Sequence, residues 1–517
     1  MGATEDKLEG PDLTQGFEVT KLVEGKPLVG LVEDDEVVVI KQGDEIHAIG
    51  RRCTHYGAPL DDGAVVDGTI RCPWHHAVFD LETGVAEGAP AFGSAGCYPV
   101  EIEGDVVRVL PKREERTPEE REGPESVVFV GAGAAAAAAA ETFRQRGYRG
   151  AITMIGAEPS GPVDRPNLSK DYLAGQAEES WIPLGGDEHW EEMGVELITG
   201  DEVVSIDREH RRLSTESGQT YDYDVLFYTT GVEPVVPPIE GLEEVEAYTL
   251  RSFGDAQRIS QAADQGQRAL VVGAGFIGLE VAASLNDRGL EVSVVAPEEL
   301  PLASVMGEEI GKLVHRLHEE AGETFYLGTT VERLEDGRAT LADGREVEFD
   351  FVVLGTGVKP RTRLAEEAGL DVDDGVLVDE QLRTSDEHIF AVGDVARYPD
   401  SGGEGTARVE HWVLAQRLAQ RAARVVLDEE PPNYTKVPFF WSRHHGVSIS
   451  YVGYASEVDE VVVCGSVEDQ DGAVGFVRDG QVLAVATVGR AVDSLHAEDA
   501  LARGDQEALW EILGARR

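Results

Sequence analysis

The sequence predicts a multidomain protein with a small all-β domain, two α/β domains and an α+β C-terminal domain. Its 517 residues are enough for three or four domains. Short β-like runs bounded by glycine and aspartate fill the N-terminal part, whereas two later segments each read as an apolar strand, a glycine-rich turn and a helix. These patterns belong to different fold classes, so we expect separate units joined on one chain.

Two loops between the N-terminal β-like runs contain the pattern Cys53-Thr-His55 and Cys72-Pro-Trp-His75. Two thiolates and two imidazoles suit a tetrahedral zinc ion, and zinc is one interpretation. Zinc fingers, however, usually group Cys with Cys and His with His, whereas here each loop supplies one of each. That mixture favours a Rieske [2Fe–2S] centre, in which two cysteines hold one iron and two histidines hold the other.

A charged segment at 113–125, rich in Glu and Arg and broken by Pro and Gly, is predicted to be a linker. After it, "SVVFVGAGAAAAAAA" joins an apolar strand to an alanine-rich helix through Gly131 and Gly133, with Ala136 in place of a third glycine. Such glycines let the backbone approach a pyrophosphate at the helix N-terminus. Glu158 ends the next strand, where a carboxylate can bind a ribose hydroxyl.

A second unit at 268–299 repeats the pattern, with Gly273, Gly275 and Gly278 in full register. Two such Rossmann-like units indicate two dinucleotides, one of them FAD. Three further strand ends carry small or acidic residues suited to line these sites. They are Thr230-Gly231 in "YDYDVLFYTTGVEP", Gly357 in "FDFVVLGTGVKP", and Gly393-Asp394 in "HIFAVGDVA", where the carboxylate can take the flavin ribityl hydroxyls.

These motifs together resemble a known family. The stretch 16–112, with "GAPLDDG" and "FDLETG", resembles the Rieske ferredoxins, and 126–517 resembles the FAD- and NAD-binding ferredoxin reductases of oxygenase systems and apoptosis-inducing factor. The whole chain is similar to the apoptosis-inducing factor-like, Rieske-fused flavoprotein reductases. The resemblance implies a Rieske domain (16–112), a linker (113–125), an FAD-binding domain (126–241 and 359–430), an NAD(H)-binding domain (242–358) and a reductase C-terminal domain (431–517).

The Rieske resemblance also implies the type of cluster. Respiratory Rieske proteins carry one extra cysteine in each loop, and these two form a disulfide over the cluster. Ala58 and Trp74 occupy those places here, so the ferredoxin type, with a lower potential, is expected. His76 stands where most Rieske loops have glycine, and we interpret it as variation within the family and not as a fifth ligand.

The reductase resemblance implies roles at the flavin. Arg165 and Pro166 of "DRPNLSKDYLAG" should line the cofactor, and Lys170 should lie beside flavin N5, paired with Glu280 of "IGLE" as the catalytic pair. The segments "RVEHWVLAQ" and "VPFFWS" should close on the isoalloxazine ring; they supply Glu410, His411, Trp412 and Trp441. His444 and His445 match no motif and are expected to be structural or exposed.

The nicotinamide cofactor is predicted to be NADH, with NADPH less favoured. Glu298 aligns with Glu158 of the first unit, although a direct family alignment places Ala296 there. No Arg or Lys lies between Gly289 and Lys312 to bind a 2′-phosphate.

The cysteine count excludes the chemistry of disulfide reductases, which need a redox cysteine pair near the flavin. Cys464 is the only cysteine in 126–517.

The charge is extreme, at −53, with 98 acidic and 45 basic residues, of which only nine are lysine. An acidic, lysine-poor surface predicts adaptation to high salt, an ordinary acidic enzyme being the alternative. Nucleic acid and anionic membranes are disfavoured as partners.

The sequence predicts a cytoplasmic location. It has no apolar run of 18 residues and no signal peptide, and Cys97 and Cys464 are expected to be reduced.

The predicted function is electron transfer from NADH through FAD to the fused [2Fe–2S] cluster and on to an external acceptor, such as an oxygenase or another redox protein. Two alternatives stay open: a redox-dependent binding protein with slow turnover, and the reductase component of a ring-hydroxylating oxygenase. A homodimer is compatible with each of these three functions.

Overall fold

A computed structural model describes residues 10–114, 117–400 and 405–514. The strands of its N-terminal part are short and pair antiparallel. They are β1 (Phe17–Glu18), β2 (Leu28–Val32), β3 (Asp35–Gln42), β4 (Glu45–Gly50), β5 (Ala64–Val66), β6 (Thr69–Arg71), β7 (Val78–Asp80), β8 (Ala86–Gly88), β9 (Val100–Glu103) and β10 (Val106–Val109). Three sheets result, in the orders β2-β3-β4, β5-β6-β7-β8 and β1-β10-β9. Inward-facing Val38, Ile70 and Phe79 fill their core, as alternating strands predict.

The first α/β unit follows a short connection. Its elements are β11 (Ser126–Val130), α1 (Ala134–Gln145), β12 (Ala151–Gly156), α2 (Arg165–Leu168), α3 (Gly186–Glu192), β13 (Val195–Thr199), β14 (Val203–Asp207), β15 (Arg212–Thr215), β16 (Thr220–Asp222), β17 (Val225–Tyr228) and β18 (Val232–Pro234). The parallel sheet runs β13-β12-β11-β17 and is completed by the later strand Ile389–Ala391. The middle alanines of α1 are fully buried, because their small side chains let the helix lie close to the sheet.

The second α/β unit has the same plan. Its elements are β19 (Ala247–Thr249), α4 (Phe253–Gln265), β20 (Arg268–Val272), α5 (Phe276–Asp287), β21 (Glu291–Ala296), α6 (Ala303–Glu320, with a non-helical Gly307), β22 (Thr324–Leu327), β23 (Val331–Glu335), β24 (Arg338–Leu341), β25 (Glu346–Glu348) and β26 (Phe351–Leu354). Its parallel sheet has the order β19-β26-β20-β21-β22.

The chain then returns to the first unit. It forms β27 (Val358–Pro360), α7 (Arg363–Glu367), β28 (Val376–Leu377), β29 (Ile389–Ala391), β30 (Ala396–Pro399), β31 (Thr406–Ala407) and α8 (Trp412–Val426). The outgoing β18 and the returning β27 pair antiparallel, so the two crossings between the α/β units lie side by side. This path fits the two-segment flavin domain that we predict; the exact domain boundaries stay a prediction.

The C-terminal part is an antiparallel sheet with two helices. It contains β32 (Phe439–His444), β33 (Val447–Gly453), β34 (Glu460–Ser466), β35 (Asp471–Arg478), β36 (Gln481–Val488), α9 (Ala491–Arg503) and α10 (Gln506–Ile512). One face of the sheet packs under the helices around Val485 and Leu509. The other face, with Ile449 and Phe476, joins the core of the second α/β unit.

Short 3-10 helices lie at Leu13–Gln15, Val19–Lys21, Leu60–Asp62, Glu179–Trp181, Leu242–Glu244, Gly393–Val395 and Asn433–Lys436. Among the described residues, no helix has both the length and the apolar character to cross a membrane. The predicted fold class, an all-β domain with two Rossmann-like units and an α+β C-terminal domain, is confirmed.

Candidate redox site

The two cysteine–histidine loops have the same backbone design. In each, the cysteine N–H donates to a carbonyl five residues on, Cys53 to Ala58 and Cys72 to Ala77, at 2.9 and 2.8 Å. Each cysteine carbonyl in turn accepts a backbone N–H from four residues on. Both loops are therefore tight turns, each closed by backbone hydrogen bonds of its cysteine.

The four predicted ligands meet as a pair of thiols and a pair of imidazoles. Nδ1 of His55 lies 3.1 Å from Nδ1 of His75, close to the roughly 3.3 Å that separates two nitrogens bound to one tetrahedral metal ion at about 2.0 Å. The thiols of Cys53 and Cys72 are buried in contact with each other, and that contact, together with burial, raises the pKa of the Cys53 thiol. Two sulfurs on one side and two nitrogens on the other fit a [2Fe–2S] cluster with a different ligand pair on each iron.

A cleft of about 1000 Å³ lies at the carboxyl ends of both parallel sheets. It is lined by most of the residues that the sequence predicts for the two dinucleotides. These are Gly131, Gly133, Glu158, Arg165, Pro166, Lys170, Thr230, Gly231, Gly275, Glu280, Gly357, Gly393, Asp394, Glu410, His411, Trp412 and Trp441.

Four predicted cofactor residues lie outside the lining. Ala136 is buried inside α1. Gly273 has φ 109°, and a Cβ there would lie 2.3 Å from the Gly355 carbonyl; Gly278 is in similarly close contact with Gly273. Both glycines therefore let the turn and α5 pack closely. Glu298 is exposed beyond β21, so its predicted ribose contact stays a prediction.

Two buried polar atoms in the cleft wall have no hydrogen-bond partner among the described residues: His411 Nδ1 and Trp412 Nε1. Burial lowers the pKa of His411 to about 3, so its ring is neutral. Depending on the tautomer, Nδ1 can donate or accept one hydrogen bond. A polar, ring-bearing cofactor can satisfy such atoms, which makes this wall a fit for a flavin.

Glu280 is the most constrained carboxylate of the cleft, only 3% exposed. It accepts hydrogen bonds from Lys170 Nζ at 2.7 Å, Ser169 Oγ at 2.6 Å and Ser442 Oγ at 2.7 Å. The Lys170 ammonium also lies 5.9 Å above the centre of the Trp441 ring. The predicted catalytic pair is thus brought together on the cleft wall, with the lysine aimed at an aromatic ring.

The cluster loops reach the same wall. The His75 ring lies 4.1 Å from the ring of Trp441, centre to centre. His55 Nε2 lies 3.4 Å from an Asp164 carboxylate oxygen that also accepts a hydrogen bond from the Tyr56 hydroxyl. Asp164 begins α2, the helix that precedes Lys170, so both histidine ligands contact residues that shape the cleft.

His76 anchors the cluster domain to the C-terminal domain. Its φ of 58° is left-handed, the conformation that favours glycine at this position of the loop. The buried imidazole stacks on Phe439 at 3.7 Å and lies 3.4 Å from Glu498. Arg417 donates to the His76 carbonyl at 2.8 Å and to Glu498 at 2.5 Å. The departure from glycine is therefore an interdomain contact and not a metal ligand.

Sequence reasoning missed the residues that support the predicted ones. Arg251, which pairs with Asp394 at 3.0 Å, and the hydroxyls of Ser169 and Ser442 belong to no recognised motif. His444 was expected to be structural or exposed; it is fully buried and hydrogen-bonded to Ser442 and to His318.

Comparison with known proteins agrees with this arrangement. Residues 125–419 match the family described as pyridine nucleotide-disulphide oxidoreductase, residues 15–99 the Rieske [2Fe-2S] domain, and residues 439–510 the reductase C-terminal family. Apoptosis-inducing factor 3 of Mus musculus is 31% identical over 475 residues, covering 88% of this chain and 78% of that protein. Rhodocoxin reductase of Rhodococcus erythropolis is 34% identical over 382 residues, covering 73% and 89%. The solved covalent putidaredoxin reductase–putidaredoxin complex has a TM-score of 0.71 at 30% identity, covering 76% of this chain and 96% of that one.

Fold and site together define a flavoprotein oxidoreductase that uses a pyridine nucleotide and carries its own iron–sulfur centre. The chain belongs to the apoptosis-inducing factor-like, Rieske-fused ferredoxin reductase family. Its cofactors are accordingly FAD, NAD and a [2Fe–2S] cluster.

Proposed function

We propose that this chain receives hydride from NADH at FAD and passes the electrons singly, through its own Rieske cluster, to an external redox protein. The contact between His75 and Trp441 is the observation that carries the proposal. One ring belongs to a predicted cluster ligand and the other lines the cleft, which supports an electron path from the flavin to the cluster through this contact.

The residues of the cluster loops and of the cleft have different proposed roles. Cys53, His55, Cys72 and His75 would hold the cluster, and the glycine turns would receive the two pyrophosphates. Bound FAD supplies the chemistry that accepts a hydride and releases single electrons. Lys170, held in place by its ion pair with Glu280, would stabilise negative charge that develops at the flavin.

NADH is the proposed donor in preference to NADPH. The segment between Gly289 and Lys312 contains no basic residue, and Glu298 and Glu299 are both exposed just after β21. Carboxylates at that position would repel a 2′-phosphate and accept a hydrogen bond from a free 2′-hydroxyl. A lower KM for NADH than for NADPH is the expected result, and equal values would remove this part of the proposal.

An anaerobic titration with NADH tests the proposal. FAD accepts two electrons and the cluster accepts one, so complete bleaching of both chromophores should need about 1.5 equivalents of NADH. Bleaching of the flavin alone, after about one equivalent and with the cluster still oxidised, would contradict it. Trp441→Ala should keep the same stoichiometry but slow the cluster phase, with the exposed Trp181 changed to Ala as the control.

The identity of the acceptor separates this proposal from its alternatives. The solved complex joins putidaredoxin reductase to a separate protein, putidaredoxin, whereas we propose that the Rieske domain of this chain takes the electrons first. Rapid steady-state turnover with an added one-electron acceptor is expected. A reduced state that persists for minutes in the presence of the acceptor would favour the redox-dependent binding protein instead. A cytoplasmic location, and salt adaptation of the surface, belong to the same proposal.

A further inference from the structure

A chain of hydrogen-bonded polar side chains, most of them buried, runs from the cleft along the interface of β32 with α5 and α6. We propose that it is a proton relay, which carries the proton left over at the flavin out to solvent; this rests on the function proposed above. The relay chain consists of Glu280, Ser442, His444, His318, Glu323 and His445.

Every neighbouring pair in the relay chain is hydrogen-bonded. Ser442 Oγ lies 2.7 Å from Glu280 Oε1 and 3.0 Å from His444 Nε2. His444 Nδ1 lies 3.0 Å from His318 Nε2. His318 Nδ1 lies 2.7 Å from Glu323 Oε2, and Glu323 Oε1 lies 2.8 Å from His445 Nε2. Protons move readily between groups at these separations.

The two ends of the relay chain suit an inlet and an outlet. Glu280 lines the cleft and binds Lys170, whereas the middle members Ser442, His444 and His318 are buried. At the far end the His445 side chain is 12% exposed and lies 3.9 Å from Asp287, whose side chain is 46% exposed. The relay chain therefore joins the buried Glu280 carboxylate on the cleft wall to a second, solvent-accessible surface.

The proposed reaction requires such a path. NADH delivers a hydride, which is one proton with two electrons, and two one-electron acceptors then take only the electrons. The balance is NADH plus two oxidised acceptors giving NAD⁺, two reduced acceptors and one H⁺. That proton is set free at the cleft wall, where Lys170, Glu280 and Trp441 lie.

The hydrogen bonds of the relay chain allow two arrangements that differ by one moved proton. A serine has one hydroxyl hydrogen, so Ser442 donates either to Glu280 or to His444. In the first case His444 donates to Ser442 and accepts from a doubly protonated His318. In the second, a protonated Glu280 donates to Ser442, and the hydrogen bonds as far as His318 reverse. Outward transfer converts the second arrangement into the first.

The electrostatics of the relay chain favour this exchange. Burial, together with His318 and Lys170, holds the pKa of His444 well below its ordinary value, so this ring is neutral and has one donor and one acceptor. Burial alone would raise the pKa of Glu323, but its hydrogen bonds from His318 and His445 outweigh burial and lower it. A charged Glu323 stabilises a proton that arrives on His318.

Two serines offer a matched pair of variants. Ser442→Ala and Ser169→Ala each remove one hydroxyl that donates to Glu280, but only Ser442 also contacts His444. Ser169 is not a member of the relay chain. A loss of support for Glu280 would therefore appear in both variants, whereas a loss of proton transfer would appear only in Ser442→Ala.

The first readout is the infrared difference spectrum between the reduced and the oxidised holoprotein. The wild type should show imidazole bands that shift in D₂O, since moving a proton onto His318 changes its ring. Ser169→Ala should keep the bands of His318 and Ser442→Ala should lose them, while the bands of the cluster-bound His55 and His75 persist in both variants. Equal loss in both variants, or no imidazole band in the wild type, would overturn the relay.

The second readout is proton release, followed with a pH indicator in weakly buffered solution. Holoprotein reduced with NADH is mixed with ferricyanide, a one-electron acceptor that oxidises the flavin whether or not the cluster takes part. This choice keeps the result separate from a failure of the proposed electron path. In the wild type and Ser169→Ala, protons should appear together with flavin oxidation.

In Ser442→Ala, proton appearance should lag at least about tenfold. His444→Gln provides a second variant, since an amide keeps hydrogen bonds but does not pass a proton, and the same lag is expected. No lag in either variant would overturn the relay. Stoichiometric zinc in the purified protein, in addition to the cluster iron, would also overturn the relay. His318, Glu323 and His445 have ligand atoms within 4.8 Å of one another, and a metal ion bound there would displace the protons.

Discussion

At the scale of single residues, the lysine above Trp441 is held by one carboxylate. Glu280 is itself fixed by two serine hydroxyls, so the Lys170 ammonium cannot swing away without breaking a charge-assisted hydrogen bond of 2.7 Å. A positive charge fixed in this way costs no reorganisation when negative charge develops beside it. We therefore propose that Lys170 acts on the rate of hydride transfer more than on the binding of FAD.

Lys170→Ala should slow flavin reduction at saturating NADH by about tenfold to a hundredfold, because the fixed positive charge is lost. The FAD content of the purified protein should fall little. Stopped-flow reduction, with Lys312→Ala as the control at an exposed lysine of α6, makes the measurement. An unchanged rate combined with lost FAD would show that Lys170 only clamps the cofactor.

Sequence motifs could predict Lys170 and Glu280 but not the groups around them. The pair lies within two family motifs 110 residues apart, and the structure brings them to 2.7 Å. Ser442 is 162 residues from Glu280, and His318 is 126 residues from His444. Hydroxyls and imidazoles at such separations have no fixed spacing in the sequence, because only the packing of β32 against α5 and α6 brings them together.

At the scale of elements, the second cluster loop is fixed by α9 and α8. Glu498 of α9 is completely buried between His76 and Arg417, with Arg71 of β6 at 3.7 Å. Burial alone would raise the pKa of Glu498, but Arg417 and His76 outweigh it and lower the pKa to about 2. A charged carboxylate here lies beside two buried arginines, of which Arg71 also pairs with Asp499 at 3.3 Å.

Glu498→Gln should destabilise the docking of the cluster domain by about 3 kcal/mol, because it removes the carboxylate of a fully buried ion pair with Arg417. Hydrogen exchange of the cluster loops, with Glu507→Gln on the exposed face of α10 as the control, measures the loss. Since the folded pKa lies below the ordinary 4.5, the wild-type advantage should be complete above about pH 4.5 and disappear as the pH falls towards 2. An advantage that grows on acidification would contradict the assignment.

The elements themselves follow from local patterns, whereas their docking does not. Glycine turns after apolar strands predict β11–α1 and β20–α5, since only glycine fits a φ near 110° under a neighbouring carbonyl. His76 was interpretable from the sequence only as a departure from glycine. Its purpose depends on α9, which begins more than four hundred residues later in the chain.

At the scale of the whole molecule, the net charge of −53 opposes compactness, and salt should relieve it. The Debye length falls from about 30 Å at 0.01 M to about 3 Å at 1 M, so repulsion between exposed carboxylates is screened, whereas the buried pairs at Glu498 are screened far less. The melting temperature should therefore rise between about 0.05 and about 2 M KCl. A steady fall with salt would show that the surface is not adapted to it.

We propose that the cluster takes electrons from the flavin of its own chain, across the contact of His75 with Trp441. Anaerobic stopped-flow mixing with excess NADH, repeated over about a hundredfold range of protein concentration, tests it most directly. A tethered and docked cluster should be reduced with a first-order rate constant that is independent of protein concentration. A rate constant that rises in proportion to protein concentration would mean that electrons pass between molecules and would contradict the account.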